Sequence, residues 1–312
     1  MSGLVAVVGT VNKDEIRAPD GTQRESLGGI LYNVMTLAAL LEGTGFRVRA
    51  YGRLGAEDRR EAVRLLERFP AADPEGLVVD PAGTNLSLLD YSGGGERVEE
   101  VRMNVAPLDE RDLRGVSEAD AVLVNMISGR DLALPTLARV RAACRGLFLL
   151  DVQALARTTE SPRRPRAVPE WRDWCAAFHV VRGNDAEITS FPGARDAHEG
   201  MRRILEAGPE EVLATSGARG SARATRRDGG EGLQTIPAFP APGAEEPTGC
   251  GDAYLSGVCA GRLLGLAAED APWLGSWIAA RVAVLSGVSE LGALRGLRSV
   301  AAREVDRLRA LP

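Results

Sequence analysis

The residues best suited to chemistry in this chain are Thr248-Gly249-Cys250-Gly251-Asp252. Small residues form a turn and an acid follows. Leu255, Val258, Cys259, Leu263 and Leu266 then recur at spacings of three and four, the period of a buried helix face. Gly249, Cys250 and Gly251 therefore fall at a helix N-terminus. Free backbone N–H groups point outward there, and the helix dipole favours an anion. Two glycines allow a phosphate to approach closely. A carboxylate beside a phosphate is repulsive, so Asp252 in the first turn needs a purpose, and taking a proton from an attacking hydroxyl is a good one. The plainer reading is a glycine-rich loop with an acid in the first helical turn.

Other polar clusters end apolar runs. Asn12 and Asp14 follow the first strand, two residues apart. In an extended segment they face the same way, and an amide with a carboxylate suits vicinal hydroxyls; simple turn chemistry is the alternative. Gly28 and Gly29 open a long helix with Asn33 near its first turn, as a ligand approach or as a structural turn. Asn184 and Glu187 stand three apart and share a helical face. They could hold a hydrated magnesium ion through water, or merely start a helix with an acid near its N-terminus. Thr215, Gly217 and Gly220 close another strand and suit the phosphates or ribose of a nucleotide.

The elements that must position these residues alternate. Apolar strand patterns fall at residues 4–8, 47–51, 121–125, 147–152, 178–182 and 211–215. Helical patterns fall at 31–42, 59–69, 135–144, 197–207, 252–266, 273–286 and 299–310. Such alternation predicts a mostly parallel sheet with helices on both faces, and ligands bind beyond the carboxyl ends of such strands. Two segments break the pattern. Residues 16–27 contain Pro19-Asp20-Gly21, a turn signal. Residues 85–104 alternate through Leu86 and Leu88, pass Gly93-Gly94-Gly95, and resume at Val98 and Val101, predicting a hairpin with one apolar face. Both fit a small β-structure over a pocket, or a surface decoration. The Arg- and Pro-rich residues 158–169 predict a surface loop.

The 312 residues, 45% hydrophobic with net charge -5, suffice for a large core. Mild acidity gives no footprint for nucleic acid or an anionic membrane. No apolar run reaches the ~18 residues of a membrane span, and the first nine residues lack a basic leader. Four scattered cysteines and two histidines argue against a disulfide framework or a zinc site and for a reducing cytoplasm. The 38 basic residues include one lysine, Lys13, between Asn12 and Asp14. That placement makes a Walker A loop and a eukaryotic kinase site hard to place.

In order along nearly the whole chain, these motifs resemble the PfkB carbohydrate kinase family, also called ribokinase-like. Gly9-x-x-Asn12-x-Asp14, Gly28-Gly29-x-x-x-Asn33, Gly52-Arg53-Leu54-Gly55, Asn184-x-x-Glu187, Thr215-x-Gly217-x-x-Gly220 and Thr248-Gly249-Cys250-Gly251-Asp252 carry the likeness. The resemblance implies a ribokinase-like three-layer α/β/α sandwich with a mostly parallel central sheet. It implies one domain over residues 1–312 with a small β lid from about 15–27 and 85–104. It implies transfer of the γ-phosphoryl group of ATP to a hydroxyl of a small sugar or polyol. Asp252 would be the general base, and the amides of Gly249, Cys250 and Gly251 the anion hole. Asn12, Asp14, Gly28, Gly29 and Asn33 would hold the acceptor. Asn184, Thr215, Gly217 and Gly220 would border the nucleotide, and Glu187 would organise Mg²⁺ through water. A homodimer through the lids follows by the same analogy. Nucleosides are an alternative acceptor, with Tyr32, Tyr91, Met103 and Met126 available as a wall. A non-catalytic nucleotide- or sugar-binding protein is a further alternative.

The chain departs from the family pattern in places. Glu246-Pro247 stands where Asp-Thr is usual, and proline removes a backbone donor. That puts the monovalent cation often found beside this loop in question. Cys250 replaces the common alanine and reads as packing. Asp151-Val152-Gln153 has Gln where Asn is usual, with Arg157 beyond. Gly55-Ala56-Glu57-Asp58 replaces Gly-x-Asp. The first lid segment is short for a ribokinase proper.

Overall fold

The computed structural model describes all residues except 1, 2, 18, 19, 91, 93–97, 161, 228, 229, 245–247 and 310–312. Pro19, Tyr91, Gly93-Gly94-Gly95 and Glu246-Pro247 lie outside the described residues. The chain runs β1 (Gly3–Val8), β2 (Asn12–Arg17), β3 (Gln23–Leu27), α1 (Leu31–Leu40), β4 (Phe46–Leu54), α2 (Ala56–Leu66), β5 (Ala72–Asp73), β6 (Leu77–Val79), β7 (Asn85–Asp90) and β8 (Val98–Arg102). It continues through β9 (Ala121–Asn125), α3 (Leu134–Ala143), β10 (Leu147–Asp151), α4 (Trp171–Ala176), β11 (Val180–Asn184), α5 (Asp185–Ser190) and α6 (Ala197–Glu206). It ends with β12 (Glu211–Thr215), β13 (Ser221–Arg227), β14 (Gly230–Ile236), α7 (Cys250–Leu263), α8 (Ala271–Val282) and α9 (Arg298–Arg309).

The main sheet has the order β14-β13-β12-β11-β10-β9-β1-β4-β5, with β6 also on β4. Pairings from β12 to β5 are parallel, while β13 and β14 add an antiparallel edge. Alternation along each central strand feeds two cores. Val5, Val7, Leu123, Leu149, Val180 and Leu213 face α1, α2, α7 and α8. Ala6, Val8, Val122, Val124, Phe148, Leu150 and Val212 face α3, α4 and α6. Both faces of the sheet are covered, which is why these strands read as continuous apolar runs. This is the expected three-layer α/β/α sandwich.

Helix α7 lies inside, with residues 252 to 261 all buried. It ends at Leu263 rather than running to 266, because Gly265 takes φ +86° and Leu266 N–H turns back to the Gly261 carbonyl at 2.9 Å. The hairpin β13–β14 was not anticipated. Its Arg- and Gly-rich sequence lacks the apolar run of a central strand, as suits an edge.

β3-β2-β7-β8 form a separate four-stranded sheet among the described residues. The covered face of β7 carries Asn85, Ser87 and Leu89, while Leu86 and Leu88 are half-buried on the other face. The expected apolar face is thus the outer one, and the inner face is polar where it nears β1. The loop at 158–169 is also only partly a surface loop. Arg163 is buried and donates to the Ser128 carbonyl at 2.6 Å.

Candidate active site

Strand order makes the site. The chain leaves β1 to pair β4 on one side and later returns to pair β9 on the other, so the strand ends diverge at β1 and β9. That is the switch point at which open α/β sheets bind ligands. Asn12, Asn125, Gln153, Asn184 and Thr215 all sit at or just beyond the carboxyl ends of successive strands.

Asp252 occupies the first turn of α7 and is 7% exposed. Gly249 caps the helix at φ +82°, and an added Cβ would stand 2.2 Å from Tyr32 Cδ1. Glycine is required there both for its left-handed backbone and for the aromatic ring beneath it. The first helical bond runs from Ala253 N–H to the Gly249 carbonyl at 2.9 Å. The amides of Gly249, Cys250, Gly251 and Asp252 thus have no acceptor within the helix. Cys250 is half-buried, and burial pushes its thiol up to about 12. That is a packing cysteine rather than a nucleophile.

The Asp252 carboxylate is gripped from one side. Asn125 Nδ2 and Gln153 Nε2 each donate to Oδ1 at 2.6 Å. Burial pushes the carboxyl above the usual range; the Asn125 bond, Arg182 and the Gln153 bond pull it down, and Glu187 adds to the rise. Behind it lies Asp151, fully buried, with both oxygens on Arg182 Nη1 at 3.0 and 2.9 Å. Burial pushes Asp151 up to about 7 against the pull of Arg182, and Asp252 adds to the rise. Arg182 also donates to Thr215 Oγ1 at 2.6 Å, and its guanidinium lies beneath Gly251, where an added Cβ would stand 2.6 Å away.

Asn33 takes a different place from the one expected. It is fully buried and donates to the Asp252 carbonyl at 3.0 Å and Ser256 Oγ at 3.3 Å, while its Oδ1 accepts from Asn125 at 2.7 Å. Its polar atoms are spent joining α1 to α7, so it belongs behind Asp252 rather than among acceptor contacts. Asn12 and Asp14 do share the buried face of β2, with Lys13 turned outward to Glu25 at 3.0 Å. Asn12 Nδ2 donates to Ser87 Oγ at 3.1 Å, and its Oδ1 is buried without a partner. Gly28 lies against Asp14: an added Cβ would stand 2.0 Å from Oδ2. At Gly29 it would stand 2.2 Å from the Thr10 carbonyl, so the glycine pair lets this loop close onto the end of β1.

Asn184 and Glu187 cap α5 reciprocally. Asn184 Oδ1 accepts from Glu187 N–H, and Glu187 Oε2 accepts from Asn184 N–H, both at 2.9 Å. The capping reading of this pair is therefore present in full. Glu187 Oε1 points instead toward Arg157 at 3.8 Å. Among the described residues, no group of three or more His, Cys, Asp and Glu could hold a metal. The donor set therefore fits only a hydrated ion delivered with phosphates, not one caged by protein.

A cavity of about 740 Å³ opens beside this cluster. Arg182, Asn184, Thr215, Gly217, Gly220, Cys250 and Gly251 line its polar end, and Phe239, Pro240, Ala279, Ala280 and Ala283 its apolar wall. Gly220 also has a purely backbone reason to be glycine, since an added Cβ would stand 2.2 Å from the Ile236 carbonyl. Asn125, Arg182 and Phe239 were missed at the sequence level. The first two are polar residues ending apolar strand runs, a signal that was available. So were the alanines of α8, spaced so that they share one face. Of the candidate wall for a nucleoside, Tyr32 and Met126 are core residues, and Met103 is half-buried.

The fold and this site define a phosphotransferase of the sugar-kinase type. The sequence profile of the pfkB family carbohydrate kinase matches residues 3–291, and the chain belongs to that family. It is 26% identical over 279 residues to a cytidine kinase of Thermococcus kodakarensis, covering 87% of this chain and 92% of that protein. Among solved structures it is similar to the Arabidopsis thaliana ribokinase complexed with ribose and ATP, with TM-score 0.75, 17% identity, and coverage of 98% of this chain and 99% of that one. It is also similar to a pyrophosphate-dependent kinase in the ribokinase family complexed with a pyrophosphate analog and myo-inositol, with TM-score 0.71, 20% identity, and coverage of 90% and 93%. The central sandwich is thus the ribokinase-like fold. Among the described residues, no helix is long and apolar enough to cross a membrane.

Proposed function

We propose that this protein transfers the γ-phosphoryl group of ATP to a hydroxyl of a small sugar or polyol. The observation behind this reading is proximity: Cys250 and Gly251, whose amides are unspent at the start of α7, line the polar end of the 740 Å³ cavity, and Asp252 is the next residue in the same turn. The apolar wall suits an adenine, and the polar end suits phosphates. Asn12, Asp14, Asn85 and Ser87 are buried on the inner face of the four-stranded sheet, and this reading assigns them as hydroxyl partners of the acceptor. In the step itself, the acceptor O–H bond breaks as its oxygen bonds to phosphorus. Asp252 takes the proton, and ADP leaves with the electrons of the broken P–O bond. The amides at α7 stabilise the charge that develops on the phosphoryl oxygens. Mg²⁺ carried by the donor would neutralise phosphate charge, with Glu187 meeting it through water. The four-stranded sheet would act as a lid that keeps water from the donor. A cytoplasmic setting belongs to the same reading, supported by four unpaired thiols.

The test is Asp252→Asn in a phosphorylation assay over hexoses, ribose, inositols and nucleosides with ATP. Turnover should fall by about 10²–10⁴-fold or more. Equal turnover by wild type and variant on a true substrate would sink the role of Asp252.

A nucleoside acceptor is the second reading, favoured by the likeness to a cytidine kinase. Tyr32 and Met126 are buried in the core, so among the described candidates Met103 is the one available to a base. Thermal-shift screening of cytidine, adenosine and inosine against ribose, hexoses and inositols separates the two.

A further inference from the structure

Gln153 is the one non-glycine residue at positive φ among the described residues, at φ +32°. An L side chain is strained there, and such strain persists only where the surroundings hold it. The surroundings here are specific. Val152 N–H donates to the Arg182 carbonyl at 2.9 Å, and Ala154 N–H donates to the Met126 carbonyl at 3.0 Å. These bonds pin the tight turn after β10 on both sides of Gln153 and aim its amide at Asp252.

Asn125 reaches the same atom from the end of β9, so two neighbouring strand ends each send an amide to Asp252 Oδ1, both at 2.6 Å. The orientation of the Asn125 amide is forced. Its nitrogen faces two oxygens, Asn33 Oδ1 at 2.7 Å and Asp252 Oδ1, where only a donor fits. Asn33 in turn fixes the Asp252 main chain. Oδ1 is thus occupied twice, while Oδ2 accepts no hydrogen bond from a described residue. We propose that Gln153 and Asn125 are positioning residues for phosphoryl transfer, tying down Oδ1 so that Oδ2 is the atom that takes the acceptor proton. The inference rests on the reading of Asp252 as the base.

Donation to a carboxylate favours its charged form, so losing one donor raises the pKa of Asp252. The other groups facing it are Arg182 from β11, Asp151 from β10, Glu187 from α5, Tyr32 from α1 and Cys250 on its own helix. A base with a raised pKa stays protonated to higher pH, so the acid limb of kcat moves upward.

Two substitutions separate donation from backbone strain. Gln153→Met keeps length and strain but removes the donor. Gln153→Gly removes both. Assays use ATP with whichever of ribose, myo-inositol or cytidine the wild type turns over fastest. Both variants should lose about 10- to 100-fold in kcat, with both KM values held within about twofold. The acid limb should shift upward in both, and Tm should be no lower for the glycine variant than for wild type. Wild-type kcat in either variant, or losses confined to KM or Tm, would overturn the inference. Asp252→Asn run alongside separates the two claims. If it is inactive while the Gln153 variants are normal, only the positioning role fails. If it is active, or if no acceptor turns over, the reading of the base fails with it.

Discussion

Asp14 and Gly28 show how finely a single position can be set. Gly28 does not need glycine for its backbone angle; it needs the space, because an added Cβ would stand 2.0 Å from the Asp14 Oδ2. The atom in the way is the end of a side chain, and a carboxylate can swing aside. Gly28→Ala should therefore fold with a Tm near that of wild type but displace Asp14, which on the proposed reading meets the acceptor. Losing a hydrogen bond to a charged group costs about 1.5–3 kcal/mol. The acceptor KM should rise by roughly 10-fold or more, with the ATP KM unchanged. Steady-state kinetics with each substrate varied in turn decides it, and an equal rise in both KM values would mean that Asp14 does not face the acceptor.

Helices α7 and α8 pack at backbone distance. An added Cβ on Gly257 would stand 2.7 Å from Gly275 Cα, and one on Gly275 would stand 2.7 Å from the Tyr254 carbonyl. Here the obstacle is main chain and cannot swing away. Gly275→Val should push the helices apart, and overpacking of this kind costs about 1–3 kcal/mol. Tm should fall by roughly 3–10 °C. Because α8 supplies Ser276, Ala279 and Ala280 to the cavity, the ATP KM should rise while the acceptor KM holds. Differential scanning calorimetry and kinetics read the two effects. These elements also mark what the sequence could convey. The central strands and α7 were legible because burial on two faces or all round leaves a local apolar pattern. The glycines of the α7 loop were legible because a turn must precede that helix. The position of Asn125 at a strand end was legible, but its partner was not, because it meets a carboxylate 127 residues away, and no local period reports which strand ends are neighbours. Nor could Asn184 and Glu187 be told apart as cap or ligand from spacing alone, since both uses put them on one helical face.

At the scale of the molecule, the two sheets have opposite problems. The main sheet is covered on both sides by helices. The four-stranded sheet buries the face that carries Asn12, Asp14, Asn85 and Ser87 and leaves an outer face of Lys13, Glu15, Arg17, Leu86, Leu88 and Asp90, all half-buried. Ion pairs flank the leucines: Lys13 with Glu25 at 3.0 Å and Arg17 with Asp90 at 3.1 Å. Partly exposed leucines framed by paired charges, on a sheet with open edges at β3 and β8, favour contact with another copy of the same surface. A two-fold pairing would bury both leucines and let the charges pair across the axis. Light scattering should give twice the monomer mass at working concentration, and Leu88→Glu should reduce it to the monomer mass without lowering Tm greatly, since Leu88 lies outside both helix-covered cores. A wild-type protein of monomer mass would reject the dimer and leave the outer face to solvent.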